Sequence, residues 1–295
     1  VTFVKREINL GFVYGSGPYG EANGPTLDVT GLRTSCTIHR AGGVNMSSLD
    51  LRVWGLPLDI MQSLSVLNIL AERQVRRNTI TVTAGDTENG FGVVFSGGIK
   101  EAWVDAESSP DVCFLISAFE GLTDKVRPVA PTSFKGPASV DVLMSSIARQ
   151  MQPPKSFENH GVDTTVDNSY FPGTLYEQML AIARMADCEV FVDNEALAIW
   201  PKGQARGNAI LDVSAATGLV GYPQFSPTGV TLTLLYSPSL SYGQKIRLRS
   251  AIGGPADGEW VVLEVTHNLD AEVPGGQWFT YVRCGRSGYP TPVIG

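Results

Sequence analysis

The chain has 295 residues, 22 Lys and Arg against 29 Asp and Glu, and a formal net charge of −7. That balance excludes nucleic-acid binding by phosphate neutralisation and adhesion to an anionic membrane surface. No run approaches ~18 apolar residues, so no membrane-spanning helix is predicted. Charged residues make up only 17%, against ~25% in ordinary soluble domains. With a mean hydropathy of +0.04, 32 Gly and 18 Pro, the composition points to a turn-rich β protein that covers part of its surface with partners. The length suits two or three domains. The opening Val1-Thr2-Phe3-Val4-Lys5-Arg6-Glu7 has no apolar core of a signal peptide, which predicts synthesis in the cytoplasm.

In chain order, residues 8–14 read as a strand and 26–40 as a longer strand region broken at Gly31. Leu49-Asp50-Leu51-Arg52-Val53-Trp54 alternates apolar and polar, the pattern of a half-buried strand. After Gly55-Leu56-Pro57, residues 58–67 place Ile60, Met61, Leu64 and Leu67 at helical spacing. Residues 78–84 alternate again, and 91–104 and 111–119 complete a first β-barrel domain over 1–122. Pro128, Pro131, Gly136 and Pro137 mark a linker. The pattern then changes to an α+β middle domain over 123–203. Val140, Leu143, Ile147 and Met151 recur at helical spacing behind Ser139, a candidate N-cap. Residues 162–166 read as a strand. Thr174-Leu175-Tyr176-Glu177 matches a capping box for a helix to about 187. Residues 188–192 and 196–200 flank Asp193-Asn194-Glu195 as a hairpin. A second β-barrel domain over 204–295 has strands at 210–213, 230–236, 245–250, 259–269 and 277–284, then an extended tail. The predicted class is mainly β, two β-barrel domains flanking a small α+β insert. The two barrels are expected to share one fold, each ending near a Cys-bearing strand, Cys113 and Cys284.

Motifs that could carry chemistry are few. Gly15-Ser16-Gly17-Pro18-Tyr19-Gly20 matches G-x-G-x-x-G, but Pro18 and the nearby Gly24-Pro25 prevent a helix from opening there, so a strand-connecting loop is predicted. His39 and His267 fall in strands and His160 in a loop, without H-E-x-x-H spacing. Cys36, Cys113, Cys188 and Cys284 lie far apart and read as free thiols. A glycosidase needs two carboxylates facing across a cleft; Glu101, Asp105, Glu259 and Glu264 read instead as solvated surface groups, and no G-x-S-x-G elbow occurs. Trp54, Trp103, Trp200, Trp260 and Trp278 lie in or beside strands, as core or interface packing. No catalytic, cofactor-binding or metal-ligating residue is assigned.

Three segments carry a family likeness. The first is Thr30-Gly31-Leu32-Arg33 followed by Leu49 to Leu56. The second is Val93-Val94-Phe95-Ser96-Gly97-Gly98-Ile99 with Pro110-Asp111-Val112-Cys113-Phe114. The third runs from Thr174 to Trp200, then Thr217-Gly218-Leu219-Val220-Gly221-Tyr222-Pro223 and Gly229-Val230-Thr231-Leu232-Thr233-Leu234-Leu235. In this order they resemble the central baseplate hub proteins of contractile-tailed bacteriophages, the late control protein D-like tail hubs. The resemblance implies a homotrimer in which two related barrels per chain form a pseudo-sixfold ring between the six-fold tail tube and the three-fold central spike. It implies as partners the spike protein, tail tube or tube-initiator proteins and baseplate wedge proteins, with the tape-measure protein a further candidate. It implies no cofactor, no catalysis, and a place in the virion baseplate after assembly in the host cytoplasm. Because the chain ends at Gly295, the hydrolase domain fused to some tail hubs is not expected. The rival reading is a carbohydrate-binding or cell-wall-degrading tail protein. Three copies would carry a net charge of about −21, so a neutral or acidic channel wall is expected, with Arg73, Arg76 and Arg77 turned to a partner.

Overall fold

The computed structural model describes residues 4–16, 22–43, 45–66, 78–88, 90–107, 109–226, 229–251 and 253–286. The chain is mainly β, as the alternation requires, with four α-helices among the described residues. It divides into two compact units. Unit 1 comprises Val1–His39, Ser48–Thr123 and His267–Trp278; unit 2 comprises Arg40–Ser47, Asp124–Thr266 and Phe279–Gly295.

Unit 1 contains β1 (Arg6–Ser16), β2 (Ala22–Val29), β3 (Thr34–Arg40), β4 (Ser48–Trp54), α1 (Leu58–Leu64), β5 (Thr79–Asp86), β6 (Gly90–Asp105) and β7 (Cys113–Phe119). The strand order is β3-β4-β7-β6-β5-β1-β2, with antiparallel pairing throughout this path. Strand periodicity of two sends alternate side chains to opposite faces. In β4, Leu49, Leu51 and Val53 are buried while Asp50 and Arg52 are exposed. In β5, Ile80, Val82 and Ala84 are buried and the threonines between them are not. Phe12, Phe95 and Phe114 are fully buried; each such side chain contributes about 1.5–3 kcal/mol. The predicted break at Gly31 is real. Gly31 has φ +71°, a left-handed conformation that glycine adopts without Cβ strain, and it separates β2 from β3. Helix α1 ends at Leu64, earlier than the spacing predicts; Leu67, like Arg73, Arg76 and Arg77, lies outside the described residues.

Unit 2 opens with the rest of α2 (Leu122–Val126), followed by β8 (Thr132–Ser133), β9 (Pro137–Ser139), α3 (Val140–Gln150), β10 (Ser156–Asn159), β11 (Thr165–Asp167), β12 (Tyr170–Phe171), α4 (Leu175–Met185), β13 (Cys188–Val192) and β14 (Ala196–Pro201). Both caps read from the sequence are present. The Ser139 hydroxyl accepts from the Val142 amide at 3.3 Å. Thr174 accepts from the Glu177 amide at 3.2 Å while the Glu177 carboxylate accepts from the Thr174 amide at 2.9 Å. The buried faces of α3 and α4, with Leu143, Met144, Ile147, Met179 and Ile182, pack into one core with Leu197 and Ile199 of β14. Strand β10 pairs in parallel with β14, and β13 closes the hairpin antiparallel to it.

The second β section has β15 (Ile210–Ser214), β16 (Leu219–Ser226), β17 (Gly229–Leu235), β18 (Lys245–Arg249), β19 (Gly258–Ala271) and β20 (Trp278–Gly285). Its order is β16-β17-β20-β19, with β18 beside β19 and β15 beside β18. Leu232, Ile246, Val262 and Val282 form its core. Phe191, Trp200 and Tyr242 make a separate aromatic cluster, with the Trp200 and Tyr242 rings 5.5 Å apart. Strands β8, β9, β10, β12 and β16 and helix α2 have no sequence expectation. Strand β16 buries only Leu219 and Pro223, because its pairing with β17 is interrupted between Val220 and Gln224. Strand β10 has no alternation, and α2 is only five residues long.

Candidate interaction surfaces

In unit 1 the sheet face turned away from the core carries two shallow hollows. One, of about 560 Å³, is lined by Ser35, Thr37, Asp50, Arg52, Trp103 and Ser117 among others. The other, of about 360 Å³, lies over Asn9, Gly11, Thr26, Asp28, Thr81 and Thr83. Strand register builds the first: Ser35, Arg52, Leu115 and Trp103 stand in one cross-strand row, and Thr37, Asp50, Ser117 and Glu101 in the next. Trp103 is 38% exposed, while Trp200, Trp260 and Trp278 are buried. Leu115 stands between this indole and Arg52 in the row, and an exposed indole is a residue type that anchors protein interfaces.

In unit 2 a cleft of about 440 Å³ opens beside the C-terminal end of α4, between loop residues Gly42 and Gly43 and the side chains of Arg184, Tyr242, Glu264 and Arg283. The loop is held from two sides. The Gly43 amide donates to Val190 O at 2.9 Å, and the Tyr176 hydroxyl donates to Gly43 O at 3.3 Å. Gly42 lies so close to the Tyr242 ring that an added Cβ would stand 2.0 Å from its Cε1. The Tyr242 hydroxyl donates to Glu189 at 3.2 Å, Arg283 donates to Glu264 at 3.0 Å, and Lys202 pairs with Asp187 at 3.6 Å. These internal pairs leave the cleft little uncompensated charge for a charged ligand.

The sequence candidates have structural places. Strand β1 ends within the G-x-G-x-x-G motif and β2 returns antiparallel, with Ser16 opposite Ala22. The chain therefore passes from strand to strand there; Gly17 to Gly20 lie outside the described residues. His39 is in β3 and His267 is buried in β19, while His160 Nε2 lies 3.1 Å from Glu158. Among the described residues no group of three or more His, Cys, Asp or Glu could hold a metal ion. Glu101 pairs with Lys100 at 3.5 Å, Glu259 with Arg247 at 3.3 Å, and Asp105 accepts from the Glu107 amide at 3.0 Å. All four cysteines are free, and only Cys188 is not buried. Burial pushes the Cys36 and Cys284 thiols up, and the Cys188 thiol up to about 11.

Sequence reasoning missed the buried polar groups that pin unit 2. Gln178 is fully buried in α4. Its Oε1 accepts from the Thr132 amide at 3.2 Å and hydroxyl at 2.6 Å, and its Nε2 donates to Ala130 O and Gly173 O. Lys155 donates to the carbonyls of Asp193 and Asn194 at 2.8 and 2.7 Å. Arg206 donates to Glu158 at 2.8 Å and holds that carboxyl below its ordinary range. Asp124 is buried and accepts from the Gln152 amide at 3.1 Å; loss of water pushes its carboxyl up to about 6, against the opposing effect of that hydrogen bond and of Lys155 and Arg127. An isolated Gln, Lys or Asp gives no sequence signal that it will be buried.

The fold recurs in solved structures. The 43 kDa tail protein of prophage MuSo2 from Shewanella oneidensis superposes with a TM-score of 0.60 at 12% identity, over 97% of this chain and 99% of that one. A tail protein from Neisseria meningitidis MC58 gives a TM-score of 0.62 at 9% identity, with 98% of both chains covered. The E. coli c3393 protein, a type VI secretion component described as similar to the T4 tail proteins gp27 and gp5, gives 0.57 at 12% identity over 90% of this chain and 77% of that one. The fold is thus one shared by phage tail and type VI secretion proteins. No curated protein matches the chain by sequence. The family described as baseplate hub gp41 matches residues 31–276. The chain belongs to this family and is a structural protein of the phage tail baseplate, part of the virion.

Proposed function

We propose that this chain is the trimeric central hub of the baseplate, joining the six-fold tail tube to the three-fold central spike. The observation that carries the reading is the family match across residues 31–276, with full-length similarity of fold to tail proteins beside it. In this reading the chain has a first barrel at 1–122, an α+β domain at 123–203 and a second barrel at 204–295. The two barrels share one fold, and three chains supply six such elements to the ring. The partners are other copies of the chain, the spike protein, tube or tube-initiator proteins and wedge proteins, with the tape-measure protein a further candidate. The role is architectural, with no catalytic residue and no cofactor, and the ring assembles in the host cytoplasm. Light scattering on the purified full chain tests it: the expected mass is three subunits, alone or after addition of the spike. A dimer that persists under all conditions, or hydrolysis of cell-wall glycan by the purified chain, would overturn it.

A further inference from the structure

A buried acid and a buried base hold one short strap of unit 2 from opposite ends. The strap is Met151-Gln152-Pro153-Pro154-Lys155, between α3 and β10. Proline has no amide hydrogen, so past Met151 the strap has two backbone donors, those of Gln152 and Lys155. The Lys155 amide donates to Ala148 O at 2.9 Å. The Gln152 amide donates to the Asp124 carboxylate, 3.1 and 3.4 Å from its two oxygens. Both anchoring side chains are buried. The Lys155 ammonium donates to the carbonyls of Asp193 and Asn194. Arg127, after α2, and Lys155 favour the Asp124 anion through space, while Lys125 is turned to the Tyr176 ring, 5.8 Å from its centroid. Burial outweighs these cations, because a carboxylate shut away from water is far costlier than a carboxylic acid.

We propose that Asp124 and this strap form a proton-operated latch, closed by the acid form of Asp124 and loosened by its anion. The latch goes beyond the hub reading and does not depend on it. The Lys155 end is fixed by a group that stays charged, and the Gln152 end is held by one that titrates. In the acid form one carboxyl oxygen remains an acceptor for the Gln152 amide, so closure keeps its hydrogen bond. Burial in the closed latch pushes the carboxyl from its ordinary 3.8 up to about 6; in the open latch the carboxyl meets water and keeps its ordinary value. The closed form therefore binds the proton more tightly. Its advantage is full below about pH 4 and is lost as pH rises to about 6, where opening becomes up to about a hundredfold more favourable. Opening releases the Gln152 amide and the end of α3, where the Met151 amide donates to Ile147 O at 3.1 Å.

Amide exchange on the full chain between about pH 4 and pH 7, corrected for the intrinsic rate at each pH, reads the latch. Protection of the Gln152 amide is expected to fall about a hundredfold over that range. At pH 7 it should exchange at least about tenfold faster than the Lys155 amide, the mark of a local opening. Asp124→Asn should keep the Gln152 amide protected at both pH values. Arg127→Ala withdraws a charge that favours the anion, so the midpoint of the fall should move to higher pH. Gln152 protection that is flat with pH in the unmodified chain overturns the latch. Equal rates for Gln152 and Lys155 also overturn it, because the strap then opens only with the whole unit. Should Asp124→Asn fail to fold, an unmoved midpoint in Arg127→Ala decides against it equally. None of these outcomes bears on the three-subunit mass that tests the hub reading.

Discussion

The two units bury their apolar side chains in different ways. In unit 1 most of the work is done by strand alternation: rows such as Cys36, Leu51, Ile116 and Ala102 meet across four strands, with Met61 and Leu64 of α1 buried as well. Unit 2 has such a strand-built core too, around Leu232, Ile246, Val262 and Val282, but in its helical module two amphipathic helices must end, turn and dock, and each ending leaves backbone groups that need partners. Ser139 and Thr174 cap the helix starts, Asp124 accepts from the Gln152 amide just past α3, and Gln178 and Lys155 pin the backbone of neighbouring segments. Unit 1's helix α1 has no side-chain cap at Pro57. The difference teaches that the sheet obtains specificity from register, whereas the helical module obtains it from a few individually placed polar groups.

Close packing is common to both units, so the largest effects should not separate them. Trp200→Ala in unit 2 and Phe114→Ala in unit 1 remove side chains that are 1% and 0% exposed. Each is expected to cost about 3–5 kcal/mol in urea denaturation, and a loss under about 1 kcal/mol for either would break the view that both cores are tightly packed.

The next effect should separate them by pH. Asp124 in unit 2 has its carboxyl pushed up to about 6 by burial, so the folded state favours its neutral form. Its contribution therefore weakens stability as pH rises from about 4 to 6, by up to ~3 kcal/mol at ~1.4 kcal/mol per unit. Asp124→Asn keeps an acceptor for the Gln152 amide. It is expected to stabilise the protein at pH 7 and to make no difference at pH 4, measured as the difference between the two unfolding curves. A variant difference that stays flat with pH would remove this contrast between the units.

A smaller loss is expected from Gly42→Ala. The new methyl would fall 2.0 Å from a Tyr242 ring atom, and Tyr242 is itself packed against Trp200 and Phe191. Overpacking of this kind costs about 1–3 kcal/mol, and unfolding at neutral pH reads it. The smallest effect is that of a cap. Thr174→Ala removes the hydroxyl that accepts from the Glu177 amide and should cost about 1 kcal/mol. Amide exchange should show the loss as faster opening of the first turn of α4, with unit 1 unchanged.

What could be read in the sequence follows the same division. Alternation in β4 and β5 was legible because one face of each strand is buried and the other is not. The helices α3 and α4 and the hairpin of β13 and β14 were legible because their caps and turn residues act locally. Strand β16 was not: most of its side chains are exposed and its ladder is interrupted, so no period marks it. Likewise nothing marked Gln178 as fully buried, or distinguished Trp103 from the three buried tryptophans.

By itself, then, the sequence determined the mainly β class, the place of the helical module, its caps, and the likeness to baseplate hubs, because periodicity, capping and turn chemistry depend on residues close along the chain. Only the tertiary structure decided that residues Arg40–Ser47 belong with unit 2 and His267–Trp278 with unit 1, that Gly42 packs on Tyr242, and that the Thr81 hydroxyl lies 3.2 Å from that of Ser96. Those outcomes depend on register and contact between segments far apart in sequence, which no local pattern encodes.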